Sequence, residues 1–215
     1  MRRVIGRLVL VLVTAACVSP VFAAESPEEI LAHVRKKYQE VKDAELSFTR
    51  RTRLSVAKIE QNAAGSLLLK KGHKYRIEMD DRTVVTDGTT VWSYSKANNQ
   101  VTVDAYRPDE RTLTPERILA GAPGDFAASL LGREKLDGNE MVVLKLVPRG
   151  EERSAVTALK LWIDPEDWLV RKAELAESSG KETTYTVNSY SINSGIPDSR
   201  FTFTAQEGTD VIDLR

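Results

Sequence analysis

The sequence predicts a mainly β, α+β domain in which one long antiparallel sheet curls beneath a cover of short helices. Three observations point there: helical periodicity is confined to two short stretches, period-two alternation of apolar and polar residues begins at Leu46 and recurs nearly to the end, and the connections are short and turn-rich. A sheet this long with one strand-rich layer must curl or be covered, because a flat open sheet would leave its apolar face wet.

The first helix is signalled by Ser26-Pro27-Glu28-Glu29, with Ser at the N-cap, Pro in the first helical position and Glu three residues beyond the cap. Ile30, Leu31, Val34, Tyr38 and Val41 then fall on one face. From Leu46 the segments Leu46–Arg50, Ser66–Lys71, His73–Asp80, Arg82–Thr86, Thr90–Ser95 and Gln100–Tyr106 read as strands. Asp87-Gly88 between two of them favours a tight turn with positive φ and so a hairpin. Residues 108–132 break the pattern: Thr114-Pro115-Glu116 starts a short helix carrying Ile118 and Leu119, and a second apolar piece, Phe126–Leu131, follows within the interruption. Strands resume at Met141–Val147, Val156–Asp164, Trp168–Leu175, Thr183–Tyr190 and Arg200–Thr204, about eleven in all.

Residues 1–23 have the build of a secretory signal peptide: Arg2, Arg3 and Arg7, an apolar run over Leu8–Ala16, and the small-residue exit Val21-Phe22-Ala23. That run is too short for a permanent membrane helix, which needs roughly 20 apolar residues. A rival reading starts from Thr14-Ala15-Ala16-Cys17, a loose lipobox in which Cys17 becomes a lipidated first residue. Residues 24–215 are expected to form a single domain, with 28 basic against 31 acidic residues, a balance of −3 that argues against a nucleic-acid footprint. Cys17 is the sole cysteine, so no disulfide framework is available.

Chemistry is hard to find. His33 and His73 each lie among charged neighbours without a metal-ligand spacing, and there is no G-x-S-x-G, phosphate-binding loop or dinucleotide fingerprint. Asp80-Asp81 and Glu151-Glu152 are adjacent, so on a strand their side chains would diverge. No catalytic residue, metal ligand or cofactor is expected. Apolar surface is plentiful instead, and in the strand around Trp162 it extends to both faces; it could line a cavity or pack beneath helices.

The stretch Gly65-Ser66-Leu67-Leu68-Leu69-Lys70-Lys71-Gly72-His73-Lys74-Tyr75-Arg76-Ile77, followed by Val84-Val85-Thr86-Asp87-Gly88-Thr89-Thr90-Val91-Trp92-Ser93-Tyr94, resembles the periplasmic outer-membrane lipoprotein carrier family (LolA). The ending Phe201-Thr202-Phe203, then Gly208 and Asp210-Val211-Ile212-Asp213, is similar to that family's close. The resemblance implies an unclosed, strongly curved antiparallel β-barrel with a helical lid over a hydrophobic cavity, and a carrier rather than an enzyme. It implies a protein that takes acylated lipoproteins from an inner-membrane ATP-driven (ABC) releasing transporter, crosses the periplasm, and delivers them to an outer-membrane acceptor lipoprotein; nothing in the sequence argues for a stable oligomer, so a monomer is expected. The implied acyl cavity would be walled by Leu67, Leu69, Tyr75, Ile77 and Met79, with Val84 and Trp92 from the hairpin. Ile30, Leu31 and Val34 of the first helix, and Ile118, Leu119 and Leu130 of the interruption, would face it. Lys71, of the same strand parity as Leu67 and Leu69, is expected to point inward and hydrogen-bond lid carbonyls in the closed form. Gly72, Tyr75 and Ile77 depart from the family's frequent Pro, Phe and Trp, which leaves less aromatic area. A lipid-anchored acceptor or lipid-sensing domain of the same fold is the alternative, favoured if Cys17 is acylated.

Overall fold

The computed structural model describes residues 25–54, 57–107, 118–119, 126–149 and 155–215, so the signal segment with Cys17 lies outside the described residues. Helix α1, Pro27–Glu40, opens with the expected capping box: Glu29 N donates to Ser26 Oγ at 3.2 Å, and Ser26 N donates to Glu29 Oε2 at 2.8 Å. Its apolar stripe buries Ile30, Leu31 and Val34.

Twelve strands follow among the described residues, all in one sheet. Hairpins link β1 (Asp43–Leu54), β2 (Ile59–Lys70), β3 (Lys74–Met79), β4 (Arg82–Asp87), β5 (Thr90–Ser95) and β6 (Gln100–Ala105). A second meander comprises β7 (Phe126–Leu136), β8 (Asn139–Pro148), β9 (Val156–Ile163), β10 (Val170–Glu177) and β11 (Lys181–Ile192), joined to the first where β11 pairs with β1. The order β12-β6-β5-β4-β3-β2-β1-β11-β10-β9-β8-β7 leaves β12 (Asp210–Asp213) and β7 as edges that do not meet, so the curved sheet is unclosed.

Three expectations need correction. The apolar piece Phe126–Leu131 is not part of the interruption; it is the start of strand β7, held by pairing with β8. Arg200–Thr204 is not a strand, since Asp198–Phe201 form a 3-10 turn; the last strand is β12, which pairs parallel to β6 after the chain has crossed the sheet. The first two strands are also longer than the alternation suggested, each running 12 residues.

The hairpin at Asp87-Gly88 forms as expected. Gly88 has φ +93°, and a Cβ there would sit 2.2 Å from Gly72 O, so two turns approach at a point where only glycine fits. Burial alone would raise the Asp87 carboxyl; hydrogen bonds from Thr90 N, Thr89 N and the Thr89 hydroxyl outweigh it and hold its pKa below the ordinary value.

Residues 193–204 cross the outer face of the sheet. Phe201 and Ile196 cover Leu68, and Phe203 lies against Tyr94 with ring centroids 5.4 Å apart. Asp198 fastens this segment, accepting from Lys70 Nζ at 2.6 Å and Lys74 Nζ at 2.7 Å, and those two bonds pull its carboxyl from 3.8 down to about 2. A depressed carboxyl stabilises the fold above its unfolded value, and that contribution is lost as pH falls from about 4 through 2. Asp198→Asn should therefore lower the urea midpoint at pH 7 and flatten its decline between pH 4 and 2; an unchanged acid profile would contradict this fastening.

Candidate functional site

The register fixes which side chains share the inner face, the one that α1 covers. Ala44, Leu69, Tyr75 and Thr86 form one cross-strand row, and Leu46, Leu67, Ile77 and Val84 the next. Phe48 stands opposite Gly65 and Met79, and Arg50 one step further, opposite Tyr185, which pairs in turn with Ala173.

The inner face is divided in two. Over β8, β9 and β10, Ile30, Leu31 and Val34 of α1 pack into Val142, Leu144, Leu146, Leu159 and Leu161, most of them fully buried, and that half is filled. Over β1 to β4, β10 and β11 the face lies above a cavity of about 290 Å³, partly open and mostly apolar. Ile118 and Leu119, both helical, border it, and Leu119 packs against the apolar clusters of both halves.

Six of the thirteen sequence-proposed wall residues line this cavity: Leu67, Ile77, Met79, Val84, Ile118 and Leu119. Ile30, Leu31 and Val34 lie in the filled core instead, because the stripe of a 14-residue helix is used up in covering the neighbouring half. Leu69 and Tyr75 belong to the apolar cluster next to the cavity without lining it. Trp92 is on the other side of the sheet: Val84 is paired with Ser93, and Trp92 with Val85, so alternation cannot place Val84 and Trp92 on one face. Leu130 is 40% exposed on edge strand β7.

Lys71 does not have the expected inward orientation, since β2 ends at Lys70 and Lys71 is exposed in the following turn. Its Nζ nonetheless donates to Gln39 O in the last turn of α1 at 2.7 Å, meeting a helix-end carbonyl that lacks an intrahelical partner. Beside it, Asp43 accepts from Gly195 N at 3.1 Å and Lys42 N donates to Asn193 Oδ1 at 2.7 Å, which pins the helix-to-strand junction to the end of β11.

Sequence reasoning missed the far wall of Tyr185, Val187, Ala173 and Leu175, together with Arg50, Arg82 and Lys172. The signal for Arg50 was present in the alternation Leu46, Phe48, Arg50.

The sequence profile described as outer membrane lipoprotein carrier protein LolA matches residues 39–204, more than half of the chain. The chain belongs to this family. An outer-membrane lipoprotein carrier protein of Alcanivorax borkumensis is 29% identical to this LolA-family chain over 157 residues, 71% of this chain and 72% of that protein. A Methanocaldococcus jannaschii protein described as uncharacterized is 24% identical over 188 residues, 86% of this chain and 53% of the relative, so the chain spans about half of that relative's length. The crystal structure of an uncharacterized conserved protein from Thermus thermophilus superposes with a TM-score of 0.59 over 86% of this chain and 98% of its own, at 14% identity, which shows a shared fold.

Gly65 lies against the Phe48 ring of the cavity wall. A Cβ there would lie 2.6 Å from Phe48 Cζ and 2.8 Å from Glu78 O, so the Phe48 ring occupies the space that a side chain would claim. Gly65→Ala should cost about 1–3 kcal/mol by overpacking and force the ring toward the cavity. Urea denaturation should show the loss, and acyl-chain uptake should fall with it; wild-type stability would mean that the ring is free to move aside.

Proposed function

We propose that the chain is a periplasmic carrier that shelters the acyl chains of lipoproteins, taking them from an inner-membrane releasing transporter and handing them to an outer-membrane acceptor. The observation that supports this reading most is the apolar cavity over β1 to β4, bordered by the short helical piece at Ile118 and Leu119, in a chain of the LolA family. Each acyl CH₂ exposed to water costs about 0.8 kcal/mol, so a released lipoprotein needs such a surface to cross an aqueous compartment.

Holding and releasing call for no covalent step, and the described residues are arranged for burial rather than for proton transfer. His33 stacks on Trp168 at 4.4 Å near Glu25 on the helix surface, and His73 stacks on Tyr106 at 5.6 Å. At about 290 Å³ the cavity is near the lower end of the roughly 300–1,000 Å³ of drug-sized ligand pockets, so several acyl chains require the cover to move. Lys71 on Gln39 O then acts as a latch: one exposed hydrogen bond, worth about 1 kcal/mol, holds α1 without making release costly.

The reading is tested by native mass spectrometry of protein purified from the periplasm without detergent, before and after incubation with a triacylated lipoprotein. A one-to-one complex is expected, and Ile77→Glu, still folded by circular dichroism, should lose it because the carboxylate is placed against the apolar wall. A protein that never binds lipoprotein, or one whose mass shows a diacylglyceryl group on Cys17, would overturn the soluble-carrier reading; the second result would favour the anchored alternative.

A further inference from the structure

The cavity wall changes character along the strands. Past the row of Leu46, Leu67, Ile77 and Val84 come Phe48 and Met79, and beyond them Arg50 on β1 and Arg82 at the start of β4, both lining the same cavity. Lys172 lines it as well, but its ammonium is engaged, lying 2.8 Å from Glu174 Oε1 and 3.8 Å from the centre of the Trp162 ring. Arg82 is more loosely held: its exposed guanidinium meets Asp81 Oδ2 at 3.4 Å.

Arg50 is the exception among these cations. Its Nε is buried and has no hydrogen-bond partner, and the other such side-chain atom among the described residues is Thr183 Oγ1. Both belong to the same end of the inner face, since Arg50 pairs with Tyr185 and Thr183 lies two residues along β11 from Tyr185, opposite Leu175 of the cavity wall. A buried guanidinium donor without a protein partner is costly, and Arg50 stands at the polar end of an apolar cavity, where it fits an anion that can accept from it; Thr183 does not itself line the cavity. Of the nearby carboxylates, Asp81 is engaged by Arg82, Glu174 by Lys172 and Glu78 by Arg76, and Asp80 lines a neighbouring pocket with Arg50 and Lys172 but makes no hydrogen bond to the Arg50 Nε.

We propose that the cavity also takes a free anionic amphiphile, whose acyl chain lies along the Leu46 and Phe48 rows and whose phosphate or carboxylate head is taken by Arg50, with Arg82 beside it. This rests on the reading that the cavity holds acyl chains and adds a ligand besides the lipoprotein, whose acylated glyceryl-cysteine carries no phosphate or carboxylate. Guanidinium suits the role because its planar fork matches a carboxylate or phosphate edge-on.

The test uses delipidated protein and four probes with direct titration by native mass spectrometry: palmitate, monopalmitoyl lysophosphatidylglycerol, neutral monopalmitoylglycerol and inorganic phosphate. Both anionic lipids should bind at least about tenfold more tightly than the neutral one, in the range of a charge-assisted hydrogen bond. Arg50→Leu should remove that preference, bringing the two anionic lipids down to the affinity of monopalmitoylglycerol, while Arg50→Lys should keep part of it, and Arg82→Leu should give a smaller drop. Equal affinity for charged and neutral lipids in the wild type, or a uniform loss in Arg50→Leu, would overturn the head-group assignment and leave the acyl cavity standing. Phosphate binding as tightly as the lipids would overturn the amphiphile. If no lipid binds at all, the acyl-cavity reading fails and the head-group assignment fails with it.

Discussion

The structure depends on one constraint: a twelve-stranded sheet whose edges, β7 and β12, never pair must have its apolar inner face covered by something other than itself. Helix α1 offers a single stripe, and Ile30, Leu31 and Val34 are spent on β8 to β10, where the core is dense. The remaining inner face belongs to β1 to β4 and their neighbours, bordered by Ile118 and Leu119, and it is there that the cavity lies. Among the described residues the cavity is therefore the part of the inner face that α1 does not reach, and its strand walls are ordinary strand positions.

The outer face is handled differently. The segment after β11 crosses it, buries Phe201 and Ile196 on Leu68, and is fastened by Asp198 between Lys70 and Lys74. This leaves β12 to pair parallel with β6, an arrangement that a run of hairpins would not produce. Contacts of this kind on the outer face help hold the curvature of the sheet whose inner face bears the cavity.

Much of this was legible in the sequence. The capping box at Ser26, the Asp87-Gly88 hairpin and the alternation of Leu67, Ile77 and Val84 are local, and local chemistry fixes them. Trp92 was assigned to the wrong face because an apolar aromatic beside a turn carries no label of its side; only the pairing of Val85 with Trp92 shows it. The piece Phe126–Leu131 was read with the interruption because Ala-Ala-Ser-Leu-Leu lacks β-branched residues, and pairing with β8 overrides propensity. Arg50 escaped notice because a charged residue at the end of a strand normally signals solvent, whereas here its Nε is buried.

The central claim is that acyl chains occupy the inner face over β1 to β4. The most direct measurement is photo-crosslinking in the periplasm of protein carrying benzoyl-phenylalanine in place of Ile77 or of Trp92, with a triacylated lipoprotein as the cargo. An adduct through the acyl group at position 77 and none at position 92 is the result this account predicts. Adducts of equal yield at both positions, or at position 92 alone, would contradict it.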